Sequence, residues 1–149
     1  MERRRGRVVR ALEALGSELS RMHGEAFFAH LVEHLALATR ADIAFVGELV
    51  GDGHGRVRTI SLMSHGQWLP NIEYDLAHTP CANVVEQGIC SYADGIQELF
   101  PKDALLIEMN ARGYAGSPLH DREGRPVGIV AVLYDHPVSE PRVAHALLD

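Results

Sequence analysis

Apolar positions recur along this chain with changing periods, and each change of period marks an element. Val8, Leu12, Leu15, Leu19 and Met22 are spaced four, three, four, three, a heptad seam over about two repeats. That spacing predicts a helix across residues 1–23, with a stripe that has nothing to cover within its own length. A second amphipathic helix is predicted over residues 25–39, where Phe28, Leu31, Val32 and Leu35 share one face and should lie on a sheet. From Ala41 the period becomes that of strands. Residues 43–50 are apolar and β-branched, residues 51–55 read GDGHG as a turn, and residues 57–63 return as the partner strand.

Further along, Ile72, Tyr74 and Leu76 alternate toward one side. Thr79-Pro80 reads as a helix start, the hydroxyl capping a free N–H and the proline taking the first helical position, where no N–H is missed. Gly88 should close that helix at a left-handed position. Residues 89–93 then form a short strand, and Pro101 opens another helix through about Met109. Residues 114–134 predict one β-hairpin: alternation around small residues, the turn Asp121-Arg122-Glu123-Gly124, then a nearly continuous apolar strand from Val127. A run that apolar is buried on both faces, so it is a central strand, and Gly116, Ser117 and Gly128 leave room for close packing against it. Ser139 caps a last helix, inside which the sequence ends. The order implies an α+β fold: an α/β/α sandwich whose mostly antiparallel sheet has about six strands, helices on both sides, and a helical insert over residues 74–109.

Composition narrows this further. The chain has 149 residues and 46% hydrophobic content, enough for one core and too short for two ordinary domains. The expected division is a linker or signalling helix over residues 1–23 and one domain over 24–149. The formal net charge is -6, yet the first ten residues carry five Arg and one Glu, leaving -10 on the remainder. Such an acidic body argues against a nucleic-acid surface. No apolar run approaches the roughly 20 residues that span a bilayer, and no secretory leader opens the sequence, so a cytoplasmic location is expected. Two cysteines, Cys81 and Cys90, make no disulfide framework and lack C-x-x-C metal spacing.

Three segments taken together, YDLAHTPCANVV (residues 74–85), LFPKDALL (99–106) and the hairpin YAGSPLHDREGRPVGIVAVL (114–133), resemble the GAF domain of bacterial PAS/GAF sensor kinases and cyclic-dinucleotide signalling proteins. The likeness spans residues 24–148. It implies a GAF-like sandwich with a ligand between sheet and insert, where Tyr74, Thr79, Cys81, Val84, Tyr92, Phe100, Met109, Tyr114 and Ser117 are the candidate binding residues. Apolar walls with a few hydroxyls suit a small neutral or partly aromatic molecule, whose identity the sequence does not disclose. The cofactor is therefore unknown. The resemblance further implies a sensory module without catalytic residues, paired as a homodimer through its terminal helices and acting on an effector outside this chain.

Cys81 stands near the start of the Thr79-Pro80 helix, where free N–H groups and the helix dipole favour thiolate. Free methionine-(R)-sulfoxide reductases are GAF enzymes with cysteines placed somewhat as in CANVVEQGIC, so a redox enzyme using Cys81 and Cys90 is the alternative. Those enzymes also use a third cysteine, which this chain lacks. A structural dimerisation module with a collapsed pocket is the other alternative. His30-Leu31-Val32-Glu33-His34 matches the H-x-x-E-H zinc-hydrolase pattern. Its histidines, however, fall opposite the apolar face, and no metal is expected there. The Asn-Lys…Phe…Asp-Glu pattern of cyclic-nucleotide GAF domains and the Asp-Ile-Pro of bilin-binding ones are both missing. His78 is the nearest candidate for a haem ligand.

Overall fold

The computed structural model describes residues 24–138. The heptad seam, the basic tip and the Ser139 cap lie outside them. A helix α1 (Gly24–Thr39) leads into strand β1 (Ile43–Val50), followed by β2 (Arg56–Ser64), β3 (Gln67–Trp68) and β4 (Glu73–Asp75). Helix α2 (Pro80–Gln87), strand β5 (Cys90–Tyr92) and the short helices α3 (Ile96–Leu99) and α4 (Ala104–Glu108) form the insert. Strands β6 (Gly113–His120) and β7 (Pro126–Tyr134) complete a seven-stranded sheet of order β3-β2-β1-β7-β6-β5, with β4 pairing β2 off that path. All the pairings are antiparallel. The α+β sandwich with layers on both faces is as the sequence implies.

Alternation along the central strands divides the core in two. Ala44, Val46, Ala115, Leu119, Val130 and Val132 face α1, where they meet the buried Phe28, Val32 and Leu35. Ile43, Phe45, Leu49, Ile129, Ala131 and Leu133 face the insert. Strand β2 would lose this order along its length. It carries an extra residue at Ile60, opposite Val46 and Gly47, and that bulge lets both Val57 and Leu62 reach the insert side.

The hairpin forms as the sequence predicts. The Asp121 side chain accepts the N–H groups of Glu123 (3.0 Å) and Arg125 (2.9 Å), and Gly124 takes a positive φ of 82°. Strand β7 lies between β1 and β6, the most buried place in the sheet. Other expectations need correction. The helix expected from Pro101 begins only at Ala104, because the Asp103 side chain accepts the Leu105 N–H (3.1 Å) and fixes the cap there. Thr79 does precede α2, but its hydroxyl caps no helix N–H. It donates backwards to the Leu76 carbonyl at 2.7 Å. Gly88 ends α2 at φ 98° and ψ -154°, a positive φ outside the left-handed helical region.

Candidate ligand site

The site forms where β4, α2, α4 and β6 meet the insert face of the sheet. On β4, Glu73 and Asp75 point outward and both pair with Arg56, the first at 2.8 Å. The residue between them, Tyr74, must therefore turn inward, opposite Val57 in register. Thr59 anchors the preceding loop by accepting the Ile72 N–H at 2.9 Å while donating to Asn71 Oδ1 at 2.8 Å. From β6, the Tyr114 ring lies across Gly116: a Cβ there would stand 2.6 Å from the phenol oxygen. Glycine at 116 thus makes room for the tyrosine two residues earlier.

These elements bring three polar groups together inside the protein. Cys81 Sγ lies 3.3 Å from the Tyr74 hydroxyl and 3.2 Å from that of Tyr114. Beside them is a cavity of about 30 Å³, walled by apolar residues such as Phe45, Leu62, Leu106 and Leu133, with Thr59 and Asp103 also on its lining. It has room for about one or two water molecules. Outside it, a cleft of about 400 Å³ lies between Gly55, residues 74–79 and residues 102–105. Tyr74, Asp103 and Leu105 border both spaces. Burial raises the Asp103 carboxyl above its ordinary value, opposed by the N–H groups of Leu105 and Leu106.

No protein-family model matches the sequence, and no curated protein does. Solved structures do. The phycocyanobilin-bound GAF domain of a cyanobacterial phytochrome superposes with a TM-score of 0.61 at 11% identity, over 95% of this chain and 87% of that one. The chain has the GAF fold. A GAF domain from a phosphoenolpyruvate-protein phosphotransferase of Coxiella burnetii gives 0.61 at 17% identity, over 94% and 84% of the two chains. Free methionine-R-sulfoxide reductase from Neisseria meningitidis, in complex with its substrate, gives 0.63 at 15%, over 95% and 84%.

Within this GAF fold the candidate residues separate into groups. Tyr74, Cys81, Met109 and Tyr114 line the cavity, and Thr79 lines the outer cleft. Val84 belongs to the same core without reaching the cavity wall. Tyr92 and Phe100 build an aromatic layer behind the site, with ring centroids 5.8 Å apart and Tyr92 6.2 Å from Tyr114. Ser117 is a correction: three residues from Tyr114 on an unbroken stretch of β6, it shares the α1 side with Ala115 and Leu119. Phe45, Thr59 and Asp103 line the cavity without a place among the sequence candidates. Asp103 carried a signal, an acidic residue just before the apolar run of α4. His78 is exposed and lines only the outer cleft. His30 and His34 are exposed on α1, as expected.

The thiolate that a helix start favours at Cys81 does not survive the packing. The side chain is fully enclosed, and burial pushes its pKa from 9.0 up to about 11, with the Tyr114 and Tyr74 hydroxyls pulling only partly back. Desolvation outweighs the helix terminus. The native protein at pH 8 should therefore be alkylated at the half-buried Cys90 well before Cys81, by mass spectrometry after iodoacetamide. Linkage gives a second readout. The unfolded thiol loses its proton near 9 and the folded one only near 11, so stability is full below pH 9 and falls by about 2 to 3 kcal/mol between these values. Urea unfolding across that range checks it, with Cys81→Ser showing the smaller decline. Rapid labelling of Cys81 at pH 8 would contradict both.

Proposed function

We propose that the chain is a small-molecule-sensing GAF module of a bacterial signal-transduction protein, cytoplasmic and without catalysis of its own. It pairs as a homodimer through its terminal helices and relays ligand state to an effector outside this chain. The observation that carries this reading is the pair of spaces at the insert: a small cavity with hydroxyl and thiol groups, and a larger cleft, both bordered by Tyr74, Asp103 and Leu105. A ligand too large for the cavity, entering from the cleft, displaces that shared border. Asp103 and Leu105 belong to the start of α4, so entry shifts the insert against the sheet, and the packing that binds more tightly is the one selected. The phytochrome GAF domain of the same fold is bilin-bound. A cavity of about 30 Å³ holds nothing of that size without such a displacement.

That small volume also favours a second reading, a structural dimerisation module with a collapsed pocket. The redox alternative draws less support, because Cys81 is a buried thiol with a raised pKa. Native mass spectrometry of the full chain separates the readings, since it reports retained ligand and subunit number together. The sensor reading expects a non-covalent adduct on a dimer, lost in Leu105→Trp, whose ring blocks the shared border while circular dichroism stays unchanged. A ligand-free dimer in several expression hosts would favour the structural module. Sustained turnover of free methionine sulfoxide, abolished by Cys81→Ser, would favour the enzyme.

A further inference from the structure

Outside the cavity lining, three strand ends bring two aspartates and two histidines together. Asp42 precedes β1, His65 follows β2, and Asp135 and His136 follow β7. Donor atoms of Asp42, Asp135 and His136 all lie within 4.8 Å of one another. His65 Nε2 stands 2.9 Å from Asp135 Oδ2 and 3.9 Å from Asp42 Oδ1, and His136 Nε2 stands 3.4 Å from Asp42 Oδ2. Backbone bonds hold this geometry from outside: the Asp135 N–H donates to Asp42 Oδ2 (2.8 Å), and the His65 N–H donates to the Asp42 carbonyl (2.6 Å).

We infer that Asp42, Asp135 and His136 bind one divalent cation of the zinc type, with His65 held beside them on Asp135. The closeness of the three donors and the far nitrogen of the His136 imidazole carry the argument. His136 Nδ1 lies 3.0 Å from the Pro137 carbonyl, an acceptor only, so that nitrogen carries the hydrogen. A neutral ring then presents a bare Nε2 to the Asp42 carboxylate. Two lone pairs facing each other repel unless a proton or a metal ion lies between them. His65 differs: its Nδ1 lies 3.0 Å from Ser64 Oγ, a hydroxyl that donates or accepts, and its Nε2 hydrogen-bonds Asp135 Oδ2 at 2.9 Å, which orients that carboxylate. An imidazole whose second nitrogen donates to a backbone carbonyl while the first faces other donors is the outer-shell arrangement of metal-binding histidines. Zinc bonds of 2.0–2.1 Å place tetrahedral donors about 3.3 Å apart, close to the 3.4 Å between His136 Nε2 and Asp42 Oδ2. An imidazole with two carboxylates suits zinc and its late first-row neighbours better than calcium. His136 is about half exposed, at 56%, so an ion reaches it without the domain opening. Bound there, it ties the exit of β7 to the start of β1.

Equilibrium dialysis of the full chain, carrying no histidine tag, against zinc chloride tests this. The expected result is one zinc per chain, with a rise in melting temperature, and cobalt in its place giving the strong visible bands of a tetrahedral site. His136→Gln should weaken zinc binding by at least about tenfold, and His65→Gln, which removes only the outer partner of Asp135, by about tenfold. His30→Gln with His34→Gln should leave it unchanged. Because His136 is exposed, its variant keeps the test valid even if Asp42→Asn fails to fold. Failure to take up zinc would overturn the site in favour of imidazolium–carboxylate ion pairs, and uptake indifferent to His136 and Asp42 would place the metal elsewhere.

Discussion

Replacing Tyr114 by alanine will cost this domain about 3 to 5 kcal/mol, the range for deleting a large buried aromatic side chain. In a chain of this size that is about 10 °C in melting temperature. The residue is 2% exposed, and its ring fills the space above Gly116 while touching the aromatic layer of Tyr92. Its hydroxyl, like that of Tyr74, reaches Cys81. Removing the ring therefore opens a void against the central strands and strips the thiol of a partner. Tyr114→Phe keeps the ring and removes only the hydroxyl, and Cys81 retains Tyr74, so about 1 kcal/mol is expected there. Urea unfolding followed by circular dichroism measures both. If alanine proved no worse than phenylalanine, the ring would not be the packing element described here, and the ligand cavity beside it would lose its rear wall.

The contrast between Tyr114 and Ser117 also marks how far the site was legible in the sequence. The hairpin announced itself through small residues, a turn of Asp and Gly, and an apolar strand, and its central place in the sheet followed from the same run. Assigning both residues to one pocket ignored the strand period, since positions three apart face opposite sides. Thr79-Pro80 located the start of α2 correctly, whereas the direction of the threonine hydroxyl depended on where Leu76 ended up, which no local pattern states. Cys81 failed for a related reason. Its place near a helix N-terminus was readable, but burial is a property of the packed insert, and burial decides its pKa. Helix α3 has four residues and β3 has two, too few to leave a period. The three residues of the inferred metal site come from two strand ends up to 94 positions apart, and only the sheet order brings them together.

A second large effect is expected at Gly128, where the cost arises from added volume. Built onto this residue, a Cβ would stand 2.6 Å from the Gly47 carbonyl oxygen and 3.4 Å from Leu119 Cδ1. The first neighbour is backbone of the paired strand, so no rotamer change relieves the clash. Strands β1 and β7 would have to part where Glu48 registers with Gly128, next to the β1–β2 bulge. Overpacking a close-packed core costs typically 1 to 3 kcal/mol and occasionally more, and Gly128→Val belongs at about 3 kcal/mol or above because the yielding element is the sheet itself. Gly124→Ala is the control. Its added methyl meets nothing within 4 Å, and only the positive φ of 82° resists it, so about 1 kcal/mol is expected. Both variants are compared by urea unfolding against the parent. If Gly128→Val unfolded at the same denaturant concentration as Gly124→Ala, β1 and β7 would not approach as closely as their register requires. The division of the core into an α1 face and an insert face, on which the cavity depends, would then need to be redrawn.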